Sequence, residues 1–160
     1  MNLTIIGTGY VGLVTGACFA EFGYSVTCID KDNERLEMLQ SGKCPFFEPS
    51  MDELLDKHIN KTKLISFSST IKNNLDKTDI IFITVGTPTR RLEEEADLSF
   101  VWQVADEIAD NINNYCLVVT KSTVPVGTTR EVKKIISKKV NHNLFDIVSN
   151  PEFLREGSAI

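Results

Sequence analysis

The stretch Leu3-Thr4-Ile5-Ile6-Gly7-Thr8-Gly9-Tyr10-Val11-Gly12 joins a short apolar run to three spaced glycines. The run 3–6 is typical of a strand, and the apolar positions within 13–22 predict a helix directly after Gly12. A second strand, 25–29, follows this helix and ends in Asp30. A strand, G-x-G-x-x-G, a helix, a strand and an acid in this order form the complete fingerprint of a dinucleotide-binding unit.

Each part of this fingerprint has a physical task. Gly7 permits the tight turn out of the strand, Gly9 lets a pyrophosphate approach the backbone, and Gly12 lets the helix pack closely on the sheet. Unpaired N–H groups at the helix start attract phosphates. Asp30 follows Gly12 by 18 residues, near the spacing of about 20 expected for a carboxylate that binds a ribose hydroxyl. The alternative is a glycine-rich turn followed by an ordinary acid.

Length and composition favour one soluble domain. The chain has 160 residues, of which 42% are hydrophobic and 24% charged, and its net charge is -5. We therefore expect a real core and no nucleic-acid partner. No apolar run approaches the 18 or so residues that cross a bilayer, and the N-terminus lacks the features of a signal peptide. These features predict no membrane partner and a cytoplasmic protein.

Cysteine and histidine usage gives no metal or disulfide signal. The four cysteines form no C-x-x-C pair, so buried reduced thiols are the simplest interpretation. His58 has no second ligand near it in the sequence, and we predict no metal site.

The rest of the chain alternates predicted strands and helices. The run 79–85 is almost continuously apolar, which suits a parallel strand buried on both faces. Asp32 or Asn33 is expected to cap one helix, Ser69 or Thr70 to start another, and Asp97 or Ser99 a third. Further predicted strands are 63–66, 115–120 and 145–148, and further predicted helices are 50–58 and 129–139. The fold class is therefore α/β: a Rossmann-type doubly wound, mainly parallel sheet with helices on both faces, formed by one domain, 1–160. The charged run 90–95 is predicted to be a surface loop.

Several polar residues follow the predicted strands at the edge where ligands bind in such sheets. Arg35, five residues after Asp30, either lies over the adenosine or is an ordinary surface residue of a helix. Asp30 would repel a 2′-phosphate, which favours NAD over NADP despite Lys31 and Arg35. Thr87 either donates its hydroxyl to the cofactor or belongs to a simple Thr-Pro turn. The hydroxyls of 122–123 either cap a helix or form part of an active-site wall.

The last predicted element begins at Asn150, a possible N-cap with Pro151 at the first helical position. On such a helical turn Glu152 and Glu156, four residues apart, would point the same way. Their role is either catalytic or a simple complement to the helix N-terminus.

Four motifs in this order resemble the N-terminal domain of the UDP-glucose/GDP-mannose dehydrogenase family. The motifs are Gly7-Thr8-Gly9-Tyr10-Val11-Gly12, Gly86-Thr87-Pro88, Lys121-Ser122-Thr123-Val124-Pro125 and Asn150-Pro151-Glu152-Phe153-Leu154-Arg155-Glu156-Gly157. The first is generic to dinucleotide binding, whereas the last two are specific. The resemblance covers the whole chain, and Gly-Ser-Ala-Ile after the last glutamate is more similar to the UDP-glucose enzymes.

The resemblance implies oxidation of the C6 alcohol of UDP-glucose to a carboxylate, giving UDP-glucuronate. Two NAD are used, and the intermediates are bound to a cysteine as thiohemiacetal and thioester. It further implies a cofactor role for the glycine loop with Tyr10 and Val11, and for Asp30, Arg35, Thr87, Thr123 and Glu156. Thr123 and Glu152 would flank the water or proton path of the acid/base steps. The substrate would be bound by Glu152, Phe153, Leu154, Arg155 and Glu156.

Family members are longer and form homo-oligomers, and their nucleophilic cysteine lies in the part that this chain does not match. We therefore expect a cofactor-binding half that is inactive by itself. Alternatives are a GDP-mannose 6-dehydrogenase fragment and a stand-alone, non-catalytic NAD-binding module. A methyltransferase also places an acid after its second strand, but Gly12 and the 121–125 motif are evidence against one.

Overall fold

The computed structural model describes residues 1–88 and 96–160. Its strands are β1 (Asn2–Ile6), β2 (Ser25–Ile29), β3 (Ile65–Ser68), β4 (Ile80–Ile83), β5 (Cys116–Thr120) and β6 (Phe145–Ser149). They form one sheet in the order β3-β2-β1-β4-β5-β6, and every neighbouring pair is parallel. This is the strand order of doubly wound dinucleotide-binding sheets, and it confirms the predicted fold class. The charged run 90–95 lies outside the described residues.

Within residues 1–88 and 96–160, five α-helices connect the strands. They are α1 (Tyr10–Glu21), α2 (Asn33–Gln40), α3 (Met51–Asp56), α4 (Ser99–Asn111) and α5 (Thr128–Ser137). A π-helical turn (Lys57–Lys61) continues α3, and a short 3-10 turn (His142–Leu144) precedes β6. The Asp32 carboxylate accepts the Arg35 N–H at 3.0 Å, so the predicted cap of α2 is confirmed. Within the described ranges, no helix is long and apolar enough to cross a membrane.

The sheet is covered on both faces because alternate residues of each strand point to opposite sides. On one face, side chains such as Leu3, Ile5 and Phe82 pack with α1, α2 and α3. On the other face, Ile81 and Ile83 pack with α4 and α5. All five of these side chains are buried, which explains why the central strands read as nearly continuous apolar runs.

The helix predicted from Ser69 or Thr70 is wrong, since residues 70–79 form turns. Ile71 and Leu75 are buried at an i, i+4 spacing that a helix would also show. The Asn74 side chain, however, donates to the Ser68 hydroxyl at 3.0 Å and to the Thr70 carbonyl at 2.9 Å. Asn73 has φ 65. Side-chain bonds to the local backbone compete with a helix, and here they replace it.

The helix predicted from Asn150 is also wrong, because residues 150–160 have no helical turn. The Asn150 N–H bonds to the Thr120 carbonyl at 2.9 Å. The Leu154 N–H bonds to the Glu152 carboxylate at 2.6 Å. The amides of 157, 159 and 160 bond to the Glu48 carboxylate, more than one hundred positions earlier in the chain. Distant acceptors and the nearby Glu152 side chain thus take N–H groups that a helix would need.

Helix α1 sits unusually close to the sheet at one point. A Cβ on Gly12 would lie 1.9 Å from the Gly7 carbonyl oxygen and 2.6 Å from the Thr84 hydroxyl. Gly7 itself has φ +100, and its own Cβ would lie 2.8 Å from the Thr84 carbonyl oxygen. These two positions therefore require glycine for the turn from β1 into α1 and for the depth at which α1 packs.

Gly12→Ala is expected to destabilise the fold by about 2 kcal/mol or more, because overpacking against backbone outweighs the gain in helix propensity. The measurement is the free energy of unfolding in urea. Gly86→Ala is the matched control, since nothing lies within 4 Å of a Cβ there. It should change the unfolding free energy by no more than about 0.5 kcal/mol. Equal stability of the two variants would contradict the close packing of α1.

Candidate cofactor site

The carboxyl ends of β1, β2 and β4 open onto a cleft of about 440 Å³. This volume is in the range of about 300–1,000 Å³ typical of small-molecule sites. The cleft lies where ligands bind in doubly wound sheets, next to the point at which the strand order reverses. Its walls come from the glycine loop, the end of β2 and one side of α4. They include Gly7, Gly9, Asp30, Lys31, Arg35, Thr84, Phe100, Gln103 and Glu107.

Asp30 is fixed at the rim of this cleft by four donors. The Thr8 amide and hydroxyl both bond to its Oδ2 at 2.7 Å. The Arg35 guanidinium lies 3.2 Å from the same oxygen, and the Asp32 amide donates to Oδ1 at 3.0 Å. Oδ1 therefore keeps acceptor capacity that can face a ribose hydroxyl.

The environment of Asp30 keeps it ionised. Burial on its own raises the pKa of this carboxyl, but the bonds from Thr8 and Asp32 and the charge of Arg35 outweigh burial and lower the pKa below its ordinary value. A permanently charged carboxylate at this place accepts hydroxyl donors well and repels an added phosphate.

The N-terminus of α1 is open beside Asp30. Gly9 is the N-cap residue, no side chain caps the helix, and its first turn contains no acid. A Cβ on Gly9 would have no heavy atom of the described residues within 4 Å. The first N–H groups of a helix have no partners inside it, and the helix dipole adds positive potential there. This end of α1 can therefore take a phosphate without rearrangement.

Lys31 and Arg35, the cations that line the cleft within the described ranges, already have acidic partners. Lys31 pairs with Glu107 of α4 at 2.5 Å. Arg35 pairs with Asp30 at 3.2 Å and with Asp32 at 3.7 Å. A 2′-phosphate would have to compete with these carboxylates, so the charges at this rim fit NAD better than NADP.

The loops after β4 and β5 are bonded to each other. The Thr87 hydroxyl donates to the Thr123 carbonyl at 2.8 Å. The Ser122 hydroxyl donates to the Val85 carbonyl at 2.7 Å, and Ser122 is buried. Lys121 reaches the Asn150 side chain at 3.3 Å. The hydroxyls of 87 and 122 thus join the two loops, whereas the Thr123 side chain is exposed.

The predicted substrate residues lie in an extended segment, 152–160. Glu152 bonds to the Leu154 amide within this segment, and among the described contacts it has no bond to Thr123. Phe153 is 94% exposed. Leu154 packs against the core under α1, and the Arg155 carbonyl lies 3.0 Å from the Tyr10 hydroxyl. Glu156 is exposed.

The structure thus brings some predicted residues together and leaves others apart. The cleft is lined by Gly7, Gly9, Asp30 and Arg35. Residues that were predicted to touch the cofactor but lie outside this lining are Tyr10, Val11, Gly12, Thr87, Thr123 and Glu156. Gly12 acts through the packing of α1, and the Tyr10 side chain points to Glu48 and Arg155 instead.

Sequence reasoning missed two polar residues that support the cleft and a third that lies outside its lining. Thr8 is fully buried and orients Asp30. Thr84 places its hydroxyl 2.7 Å from the Gly7 carbonyl oxygen and so supports the glycine loop. Glu48 is 7% exposed and binds Tyr10. Only Glu48 had a sequence signal, as the one acid inside the apolar, proline-flanked run 45–49.

The cysteine thiols are not poised for reaction. Burial raises the pKa of Cys28 to about 12 and that of Cys116 to about 11. Burial likewise raises the pKa of Cys18 and of Cys44. All four are free thiols, and the described residues contain no cluster of His, Cys, Asp and Glu that could hold a metal ion.

Comparison with known proteins identifies the family of the domain. The chain matches the UDP-glucose/GDP-mannose dehydrogenase family, NAD binding domain, over residues 1–160. It is 49% identical to a UDP-glucose 6-dehydrogenase of Rhizobium meliloti (strain 1021), over 100% of this chain and 36% of the relative. The chain thus spans about a third of the length of the curated relatives it matches.

Two solved structures share the fold. A UDP-glucose dehydrogenase from the hyperthermophilic archaeon Pyrobaculum islandicum has a TM-score of 0.92 and 36% identity, over 99% of this chain and 37% of that one. A ternary complex of GDP-mannose dehydrogenase from Pseudomonas aeruginosa has a TM-score of 0.91 and 33% identity, over 98% and 37%. The cofactor is NAD, as the matched domain specifies. The chain belongs to the UDP-glucose/GDP-mannose dehydrogenase family and corresponds to its NAD-binding domain.

Proposed function

We propose that residues 1–160 form one domain that binds NAD for a UDP-glucose 6-dehydrogenase, the enzyme that converts UDP-glucose to UDP-glucuronate. The observation that carries the proposal is the pairing of two features at one cleft. The α1 N-terminus is uncapped and free of acids, and an ionised Asp30 is fixed beside it. This combination suits a pyrophosphate next to a ribose.

In the proposed complex the N–H groups that begin α1, close to Gly9, would hold the pyrophosphate. Asp30 would accept a hydroxyl of the adenosine ribose, and Arg35 would contact the adenosine. The loops after β4 and β5, which the bond from the Thr87 hydroxyl to the Thr123 carbonyl joins, would hold the nicotinamide. NAD supplies the hydride acceptor, and these residues hold it in place.

On the substrate side we assign Thr123 and Glu152 to the proton path. The Thr123 hydroxyl has no partner among the described contacts, and Glu152 uses only Oε2 for the Leu154 amide. A water between this hydroxyl and the remaining carboxylate oxygen could accept the proton that the alcohol loses when hydride departs. Backbone groups of 153–155 would contact the sugar nucleotide, with Glu156 between cofactor and substrate.

UDP-glucose is favoured as the substrate by the 49% identity to a UDP-glucose 6-dehydrogenase. GDP-mannose is the second candidate because the GDP-mannose dehydrogenase structure superposes with a TM-score of 0.91. The nucleophilic cysteine and the remaining contacts to the sugar are assigned to parts of the enzyme other than these 160 residues, because burial raises the pKa of all four thiols here.

Calorimetric titration tests the cofactor assignment. We expect saturable binding of NAD and binding of NADP at least about 10-fold weaker, because Asp30 repels the 2′-phosphate. Asp30→Asn should weaken NAD about 10- to 100-fold through loss of a charge-assisted bond, and should reduce the preference over NADP. An unchanged NAD/NADP ratio in this variant would show that Asp30 is not the ribose ligand.

Gly9→Val tests the phosphate position. The branched side chain would occupy the path of the pyrophosphate, so NAD binding should be lost. The fold should survive because the space around Gly9 is open. The readouts are NAD calorimetry and the thermal unfolding midpoint. Wild-type NAD affinity in a folded variant would place the phosphates elsewhere.

The chain by itself should release no NADH when it is given NAD and UDP-glucose. Burial keeps its four thiols protonated, which leaves no thiolate nucleophile. Absorbance of NADH is followed, with GDP-mannose as a parallel substrate and a complete UDP-glucose 6-dehydrogenase as the positive control. Turnover by the 160 residues would overturn the assignment of the chemistry to another part of the enzyme.

A further inference from the structure

Glu48 is a buried carboxylate that lies away from the cofactor cleft and has four donors. Its Oε2 accepts the Tyr10 hydroxyl at 2.5 Å and the Gly157 amide at 2.9 Å. Its Oε1 accepts the Ala159 amide at 2.8 Å and the Ile160 amide at 3.3 Å. Glu48 is 7% exposed. A charge at this depth is tolerated only when such bonds satisfy it.

The loop that carries Glu48 is itself fixed. The Cys44 amide donates to the Asp52 carboxylate at 2.7 Å, and the Met51 amide lies 3.2 Å from the Glu48 carbonyl oxygen. Ser50, which lies between Glu48 and Met51 in the sequence, has φ 64, a left-handed conformation that is uncommon for a residue other than glycine. The start of α3 therefore determines where the Glu48 carboxylate lies.

Tyr10 connects this carboxylate to the glycine loop, because it is the first residue of α1. Its ring packs against Phe46 with centroids 5.0 Å apart, which holds the hydroxyl towards Glu48. The same hydroxyl lies 3.0 Å from the Arg155 carbonyl oxygen and 3.2 Å from the Gly157 amide. Burial, followed by the bond to Glu48, raises the pKa of Tyr10 to about 12, so it remains a donor.

We propose that Glu48 and Tyr10 form a clamp that holds the segment 152–160 against the first turn of α1 and couples the order of this segment to the cofactor. Glu48 is a positioning residue in this proposal. The coupling rests on the proposed function, since it takes NAD to bind at the start of α1. The anchoring of the segment by Glu48 does not depend on it.

The expected sign of the coupling follows from the shared residue. A pyrophosphate on the N–H groups of the first α1 turn would fix the turn that begins with Tyr10. A fixed Tyr10 presents its hydroxyl to Glu48 and to 155–157 at lower entropic cost. NAD should therefore favour the docked segment, and by linkage the docked segment should strengthen NAD binding by the same factor.

Hydrogen exchange of the amides of 157, 159 and 160 tests the anchor without NAD. In Glu48→Gln one of the two oxygens becomes an NH₂ group, so one pair of donors loses its acceptor whichever way the amide turns. Exchange at these amides should accelerate at least about 10-fold. Glu53→Gln, a change at an exposed position of α3, is the matched control and should leave exchange unchanged. Wild-type protection in Glu48→Gln, with its fold verified by β1 and β4 amides, would overturn the clamp.

The same amides measured with saturating NAD test the coupling. NAD should slow their exchange about 5-fold or more in the wild type. Tyr10→Phe retains the Glu48–amide bonds but removes the connection to α1, so the NAD-dependent slowing should disappear. If Tyr10 had only a structural role, Tyr10→Phe would lower the protection of these amides from exchange by the same factor with and without NAD. Equal slowing in wild type and Tyr10→Phe would overturn the coupling.

Failure of the proposed function gives a different result. If NAD does not bind at the proposed place, calorimetry will detect no heat when NAD is added. Hydrogen exchange at the amides of 9–12, where the pyrophosphate is proposed to bind, will then stay unchanged. The comparison of Glu48→Gln with wild type in the absence of NAD would still decide whether Glu48 anchors the segment.

Discussion

The close approach of α1 to the sheet is the constraint on which the rest of the structure depends. Only a residue without a Cβ fits at Gly12, because the Gly7 carbonyl oxygen and the Thr84 hydroxyl occupy that space. This contact sets where α1 begins, and therefore where its open N–H groups point. It also sets the position of Tyr10, whose side chain leaves the helix start in the direction of Glu48. The packing of Gly12 thus affects both the cofactor cleft and the surface on which the segment 152–160 packs.

Charge compensation explains how an acidic chain with a net charge of -5 can present a site for a dinucleotide. Two acids that bond to residues around the start of α1 are both strongly hydrogen-bonded. Asp30 is held by Thr8, Asp32 and Arg35, and Glu48 by Tyr10 and three amides. The bond from Tyr10 and those amides also lower the pKa of Glu48, although burial opposes this. Both carboxylates therefore stay ionised without leaving an unsatisfied charge near the start of α1.

The sequence predicted those features that are determined by residue patterns within short stretches. The order of most strands and helices and the cleft-lining residues Gly7, Gly9 and Asp30 follow from spacing within short stretches. Spacing left the cap of α2 open between Asp32 and Asn33, and the cofactor role of Arg35 came from the family resemblance. Prediction was wrong where partners distant in sequence or local side-chain bonds decide the backbone. At 70–79, Asn74 replaces helical bonds, and at 150–160, Glu48 takes the amides that a helix would have used. No periodicity could reveal the second case, since the acceptor lies more than one hundred residues away.

The residues missed by sequence reasoning share one property: each acts by orienting another group. Thr8 aims Asp30, Thr84 supports Gly7, and Glu48 fixes the segment that follows β6. A motif records the groups that face a ligand, whereas these supporting groups become visible only when the chain is folded. The domain therefore contains buried hydrogen bonds that orient groups around the cleft and in the segment 152–160. The bonds of Tyr10 and Glu48 connect the start of α1 to that segment, so we expect a change at either residue to act on 152–160 through these bonds.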